Sequence, residues 1–134
     1  MATTQNQLIN RGDRDRGNLP VLADAVLPTG TICFVDANGY ATEAKASARF
    51  AGIVVRGVDN TGGANGDINV EVWREGQFVL PGSSFTQAIV GDKAYAVDNY
   101  DTSATLTSNI YMGKFTEFKS ATEAKIDIDV INES

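Results

Sequence analysis

From Leu19 onward the apolar residues fall in short bursts rich in Val, Ile, Phe and Tyr, separated by turn-forming clusters about every eight to twelve residues. Ile68, Val70 and Val72 alternate with Asn69 and Glu71, and Ile126, Ile128 and Val130 alternate with Asp127 and Asp129. A period of two with acids on the off positions describes strands with one buried and one wet face. Asp36-Ala37-Asn38-Gly39 contains an Asn-Gly pair, which readily takes the positive φ angles of a tight hairpin, and the run from Asn60 to Gly66 reads as a longer connection. Only Thr42–Phe50, with Glu43, Ala44, Lys45, Ala46 and Ala48, offers a helical turn or two, and a loop fits there nearly as well. The pattern predicts an all-β chain, a small β-barrel or sandwich, with Ile32, Phe34, Val54, Val70, Tyr95, Phe115 and Ile128 turned inward.

The pattern also repeats. Ala25-Val26-Leu27-Pro28 is echoed by Phe78-Val79-Leu80-Pro81 at an offset of 53. Gly30 is echoed by Gly91, and Phe50-Ala51-Gly52 by Tyr111-Met112-Gly113, both at 61. The Ile68-Val70-Val72 strand is echoed by Ile126-Ile128-Val130 at 58. Read this way, two related β units span 25–72 and 78–130. The second gains eight residues around Ser83–Val90 and loses three in a later loop, which is where a duplicated β unit would vary.

Residues 1–18 differ from the rest. They are rich in Asn, Gln, Thr and Arg, with Leu8 and Ile9 the only large apolar residues after Met1. Arg11, Arg14 and Arg16 against Asp13 and Asp15 leave this segment at +1, so the rest carries −7 of the chain's net −6. The sequence therefore divides into a polar N-terminal arm, 1–18, and a β domain, 19–134. A frayed terminus and an arm that orders on a neighbouring subunit both fit such a segment. In the second case Leu8 and Ile9 are apolar anchors, and Arg11, Arg14 and Arg16 form forked hydrogen bonds to carboxylates.

Composition narrows the function classes. The 134 residues, 43% hydrophobic and 21% charged, are globular in character and sufficient to bury roughly two thirds of the unfolded chain's surface without disulfides or metals. No uninterrupted run of apolar residues exceeds four, too short to span a bilayer as a helix, and the first residues lack the basic-then-apolar order of a secretory signal. A net charge of −6 argues against direct binding of nucleic acid, which needs clustered Lys and Arg to displace counterions. The lone cysteine, Cys33, has no internal partner, which suits folding in a reducing cytoplasm.

Candidate chemistry is sparse. The chain has no histidine, so a Cys33 nucleophile would lack its usual base, and a buried inert thiol is the simpler reading. Arg11-Gly12-Asp13 spells an adhesion tripeptide, but its continuation as Arg14-Asp15-Arg16 reads as solvated arm. Asp59, Asn60, Asn65 and Asp67 place oxygens on a glycine-rich loop without the ordered carboxylates that calcium requires, so it reads as a connection, as does Asp98-Asn99-Tyr100-Asp101. The acids lie on outward strand positions or in turns, not facing one another across a cleft, and no phosphate loop, zinc ligand set or nucleophile elbow occurs. Trp73 beside Arg74 could anchor an interface or stack on a sugar, though partial core burial suits its place at a strand end. No catalytic, metal or cofactor-binding residues are expected; the protein reads as a non-enzymatic module that works through its surfaces.

The succession Leu27-Pro28-Thr29-Gly30, Ile32-Cys33-Phe34-Val35-Asp36-Ala37-Asn38-Gly39, Phe50-Ala51-Gly52-Ile53-Val54 and Ile68-Asn69-Val70-Glu71-Val72, with Gly91-Asp92-Lys93-Ala94-Tyr95 opening a later strand, resembles the bacteriophage capsid cement proteins. More distantly it is similar to lambda-type head decoration proteins. The resemblance runs over most of Leu19–Val130 and rests on the order of short elements. It implies a β-barrel or sandwich, a homodimer or homotrimer, on the outer surface of an icosahedral head. There it would bind the major capsid protein and hold subunit junctions against the pressure of packaged DNA. It implies no cofactor, no membrane and no catalysis, with synthesis in the host cytoplasm and residence in the virion. The long polar arm and the second half through Val130 depart from that pattern. A tail, baseplate or fibre β domain, with or without a carbohydrate ligand, is the other reading the sequence admits.

Overall fold

The computed structural model describes residues 16–45, 48–106 and 108–130. They form twelve strands: β1 (Arg16–Pro20), β2 (Val26–Leu27), β3 (Ile32–Val35), β4 (Ala41–Thr42), β5 (Arg49–Val54), β6 (Val58–Asp59), β7 (Asn69–Trp73), β8 (Glu75–Pro81), β9 (Lys93–Ala96), β10 (Thr102–Ser103), β11 (Ile110–Ser120) and β12 (Glu123–Asp129). A single 3-10 turn, Gln87–Ile89, precedes β9. The expected all-β class is what the chain adopts. One five-stranded sheet runs β1-β7-β5-β3-β4, a second runs β10-β9-β11-β12-β8, and β2 pairs with β6 as a separate ribbon. All the strand pairings in these sheets are antiparallel, and the two large sheets pack as a sandwich-like fold.

Each large sheet also curls until its two edges meet. Val21, directly after β1, forms a parallel bridge to Ala41 of β4, and the Leu22 amide donates to the Ala41 carbonyl at 2.8 Å. In the second sheet Gly82, directly after β8, bridges Thr102 of β10 in the same sense, and the Thr102 hydroxyl donates to the Pro81 carbonyl at 2.7 Å. Closure of this kind covers edges that would otherwise pair with other chains.

These equivalences fix the repeat. Gly30 N donates to Val54 O as Gly91 N donates to Phe115 O, and Asp36 N donates to Tyr40 O as Val97 N donates to Asp101 O. Cys33 opposes Gly52 as Ala94 opposes Gly113. One offset, 61, therefore holds from β1 through β5, including the closing bridges. The counterpart of Phe78–Pro81 is Gly17–Pro20, with Leu19-Pro20 matching Leu80-Pro81, and not Ala25–Pro28 at 53. The last strand shifts by 54, since Pro20 opposes Asn69 and Pro81 opposes Glu123; the expected offset of 58 is two strand periods too long. No eight-residue insertion is needed. The second unit is instead shorter where β11 turns directly into β12, while the first makes the excursion through β6 and the 60–68 loop.

Two cores result. Val21, Ala25, Leu27, Cys33, Ala41, Ala51, Val54, Val70 and Val72 fill the inside of the first curled sheet. A larger core joins Ile32, Phe34, Phe50 and Ile53, on the other face of that sheet, to Leu80, Phe85, Ile89, Ala94, Met112, Phe115, Ile126 and Ile128 of the second. All seven residues expected to face inward are buried, six of them in these two cores; Tyr95, at 8%, is covered on the other face of the second sheet, against Tyr111.

Two expectations give way. The helical alternative for Thr42–Phe50 is not adopted among the described residues: Thr42 and Phe50 both oppose Phe34, one on each side of β3, so strand ladders claim both ends. A helix of so few residues gains too little from its own hydrogen bonds to compete. The sheet also begins earlier than the arm boundary at 18, because Arg16, Gly17 and Asn18 pair with Trp73, Val72 and Glu71. The Asp36–Gly39 hairpin forms as expected, though with only Gly39 at positive φ (88°); the Asp36 carboxylate accepts from the amides of Asn38 and Tyr40 and closes the turn.

Gly52 and Gly113 occupy equivalent places at φ 139° and 156°, and a Cβ there would run into the carbonyls of Trp73 and Asp127. Gly52→Ala and Gly113→Ala are expected to destabilise far more than Gly39→Ala, where open space surrounds the missing Cβ. Phe34→Ala, emptying a fully buried site, is expected to cost about 3–5 kcal/mol. Urea titration followed by tryptophan fluorescence ranks the four variants, and an unchanged midpoint for Phe34→Ala would contradict this core.

Candidate docking site

The first curled sheet is closed at one end and open at the other. At the closed end the chain folds over itself. Asn60, 4% exposed, donates from its side-chain amide to the carbonyls of Leu22 and Ala64 at 2.9 and 3.1 Å. Around it the Asp24 carboxylate accepts from Gly62 N, Asn65 Oδ1 from Ala23 N, and Asp67 from Ala64 N. The oxygens of the 59–67 loop are thus engaged in holding the cap. The Asp59 carboxylate, accepting from the hydroxyl and amide of Thr61, is held below the usual carboxylate range. Among the described residues no three His, Cys, Asp or Glu side chains gather to hold a metal.

At the open end β5 and β7 part company. Their last pair is Ile53 with Trp73. Beyond it β7 leaves through Arg74 to become β8 in the other sheet, while β5 runs back to Arg49 along β3. Residues 49–51 consequently have β3 on one side and no strand on the other among the described residues. The slit opens into a cleft of about 320 Å³ whose floor includes Leu19, Val35, Ala51 and Val72, all members of the inner core or packed on it. Arg49 and Arg74 stand at its rim, and Val35 and Arg49 continue into a second hollow of about 370 Å³ over the Asp36–Gly39 turn.

Arg74 lies across Gly17, where any Cβ would come within 2.8 Å of its Cδ. Neither Arg49 nor Arg74 forms a side-chain hydrogen bond or ion pair among the described residues. Arg16, by contrast, is engaged: its guanidinium sits 5.1 Å from the Trp73 ring centroid and 3.6 Å from Glu71. Both sides of that ion pair are nearly half exposed, so it adds little stability. Of the residues expected to dock on a neighbour, Arg16 belongs to β1 beside this cleft; Leu8, Ile9, Arg11 and Arg14 lie outside the described residues. Gly17 and Val130 both line the cleft, so segments 1–15 and 131–134 attach to the body at its mouth.

The outer face of the second sheet is a different surface. Tyr95 and Tyr111 meet edge to face at 6.0 Å, and Lys93 lies 6.0 Å from the Tyr111 ring centroid. Lys119 and Lys125 both bind Glu117, at 2.6 and 3.3 Å, and hold its carboxyl below the usual range.

Arg49, Arg74 and the parting of β5 from β7 were not legible as a site, because the arginines lie far apart in sequence and only the sheet change at Arg74 unites them. Neither a known protein family nor a curated protein matches the chain.

Cys33 is fully buried in the inner core, where burial pushes its thiol up to about 12; the nearby Glu43 charge adds to this and the Thr42 amide only partly offsets it. The thiol is expected to resist an aromatic disulfide reagent until the protein unfolds. Because the folded pKa is raised above the unfolded value of 9.0, the contribution of Cys33 is complete below pH 9 and is lost as pH rises toward 12. Cys33→Ala should lessen that alkaline loss, which denaturant titrations at pH 8 and pH 10.5 would measure.

Proposed function

We propose that this protein is a capsid cement protein of a bacteriophage: a homo-oligomeric β module on the outside of the head that binds the major capsid protein and bridges neighbouring subunits. The observation that carries the reading is the open mouth of the first sheet, where a strand edge and two arginines without partners among the described residues meet the attachment points of both terminal segments. Such a mouth suits the capture of another chain. The rest of the body supplies a rigid closed scaffold behind it. The order of short motifs shared with cement proteins supports the same conclusion.

The mechanism is avidity without chemistry. Each copy contributes modest contacts, and linking several copies across subunit junctions turns them into a strong clamp. The segment 1–15, with Leu8, Ile9, Arg11 and Arg14, supplies a further contact to a neighbouring copy or to the capsid. Ordering it costs roughly 1–2 kcal/mol per residue in backbone entropy, so its docking surface has to be extensive. A sugar-binding tail or fibre domain would want a bare aromatic face, whereas Trp73 has Arg16 over its ring.

Deletion of residues 2–15, which spares β1, is expected to leave the far-ultraviolet circular dichroism and the thermal midpoint of the body unchanged. It should weaken decoration of heads assembled from the cognate major capsid protein, most clearly at raised salt. Sedimentation of heads with bound protein measures this. A full-length protein that does not cosediment would refute the cement reading; a deletion that binds with unchanged affinity would remove the arm from it.

A further inference from the structure

Resting on the reading of this protein as a docking module, we infer that the cleft between β5 and β7 takes an extended acidic segment of the partner protein, added as a strand beside Arg49–Ala51. Three features of the site point to that occupant.

The first is backbone. Residues 49–51 pair with β3 on one side and, among the described residues, lack a strand on the other, because β7 departs at Arg74. A segment entering the slit extends the ladder that β7 abandons, as in other cases of strand addition to a sheet edge.

The second is charge. Arg49 and Arg74 flank the same cleft without a carboxylate partner among the described residues, in a chain whose net charge is −6. Other cations are engaged: Arg16 with Glu71 and Trp73, Lys119 and Lys125 with Glu117, Lys45 with Asn109. Arg56 and Lys114 also lack a partner among the described residues, but they lie on separate parts of the surface, whereas Arg49 and Arg74 share one cavity. Two forked guanidiniums lining one cleft suit a carboxylate, which accepts paired hydrogen bonds from such a fork.

The third is shape. Val35, Ala51 and Val72 form an apolar floor on the same face of the sheet as Arg49, which is paired with Val35. Side chains two apart on an added strand point to one face. The occupant therefore carries an apolar side chain for the floor and, two residues along, an acidic one for the arginines.

The test uses the full chain and an acetylated, amidated five-residue peptide with valine second, glutamate fourth and threonine elsewhere. Titration followed by amide chemical shifts should move the resonances of Val35, Arg49 and Ala51. Replacing the peptide's glutamate by glutamine should weaken binding about tenfold or more, the scale of a lost charge-assisted hydrogen bond, and so should Arg49→Gln and Arg74→Gln. The peptide swap does not depend on the variants folding. Equal binding of the glutamine peptide, shifts confined to other surfaces, or equally tight binding of hexanoate, which has no backbone to pair, would overturn the proposal. So would binding seen only after deletion of residues 2–15, which would assign the cleft to the chain's own arm. Head decoration by the R49Q/R74Q double variant separates the two levels of the argument. Undiminished decoration with no peptide binding overturns this site and leaves the cement reading standing. Peptide binding with no decoration by the full-length protein does the reverse.

Discussion

The structure depends on one layer being apolar on both of its faces. The sheet β1-β7-β5-β3-β4 lines its own curled interior with Cys33, Ala51, Val54, Val70 and Val72, and it turns Ile32, Phe34, Phe50 and Ile53 toward the second sheet. The inner core of the second unit is built from the equivalent positions, with Ala94, Met112, Phe115, Ala124 and Ile126 replacing that first set. What differs is the opposite face. The counterparts of Ile32, Phe34, Phe50 and Ile53 are Lys93, Tyr95, Tyr111 and Lys114, on the face of the second sheet turned away from its core, where both lysines are exposed and Tyr95 is covered beside Tyr111. The two units thus stack in the same sense, the outer face of the first covering the core of the second. The first unit needs its own cap, which the 21–30 segment, β2 and β6 provide. The second does without the β6 excursion.

That arrangement also explains why the first sheet is open where it is. Linking two curled sheets through a single residue, Arg74, obliges β7 to leave one sheet as β8 enters the other. Gly52 marks the parting, since the approach of β5 to the Trp73 carbonyl leaves no room for a side chain. Past that point β5 keeps only β3 beside it among the described residues, and its other edge is left open by connectivity more than by local sequence. The cleft is where the fold could not finish its own hydrogen-bond ladder.

Much of this was legible from period-two alternation alone, because most strands have one wet face. The alternating runs 68–72 and 126–130 fall on β7 and β12 for that reason, each overrunning its strand by one residue, and the Asp36–Gly39 turn followed from its Asx and glycine chemistry. Alternation fails where both faces are buried: five consecutive residues from Phe50 to Val54 are covered, so β5 carries no marker of which side meets the second sheet. The repeat was half legible. Leu-Pro occurs at 19–20, 27–28 and 80–81, and Val26-Leu27-Pro28 resembles Val79-Leu80-Pro81 over three residues while the true counterpart, Leu19-Pro20, agrees over two, so short identities point away from the register that hydrogen bonds fix. The helical alternative at Thr42–Phe50 reflected alanine and charge content without knowledge of the ladders that Phe34 offers on both sides. The cleft lay beyond reach, because it depends on where strands stop pairing.

The polar groups separate along the same lines. At the capped end, Asp24, Asp59, Asn60, Asn65 and Asp67 are spent on backbone amides, hydroxyls and carbonyls, so a loop rich in oxygen ligands is a structural staple. Removing the buried Asn60 amide leaves the Leu22 and Ala64 carbonyls without their donor, which costs on the order of 1–3 kcal/mol, whereas the carboxylates around it accept at the surface, where water can replace them. At the open end the polarity is reversed: Arg49 and Arg74 are donors with nothing to donate to inside the described chain. Water satisfies them while the cleft stands open, so they impose no penalty on folding. The same groups become costly if an apolar partner covers them, because two guanidiniums would then lose their water unpaired. Such a cleft discriminates by exclusion as much as by attraction, admitting an acidic strand and rejecting an uncharged one of the same shape.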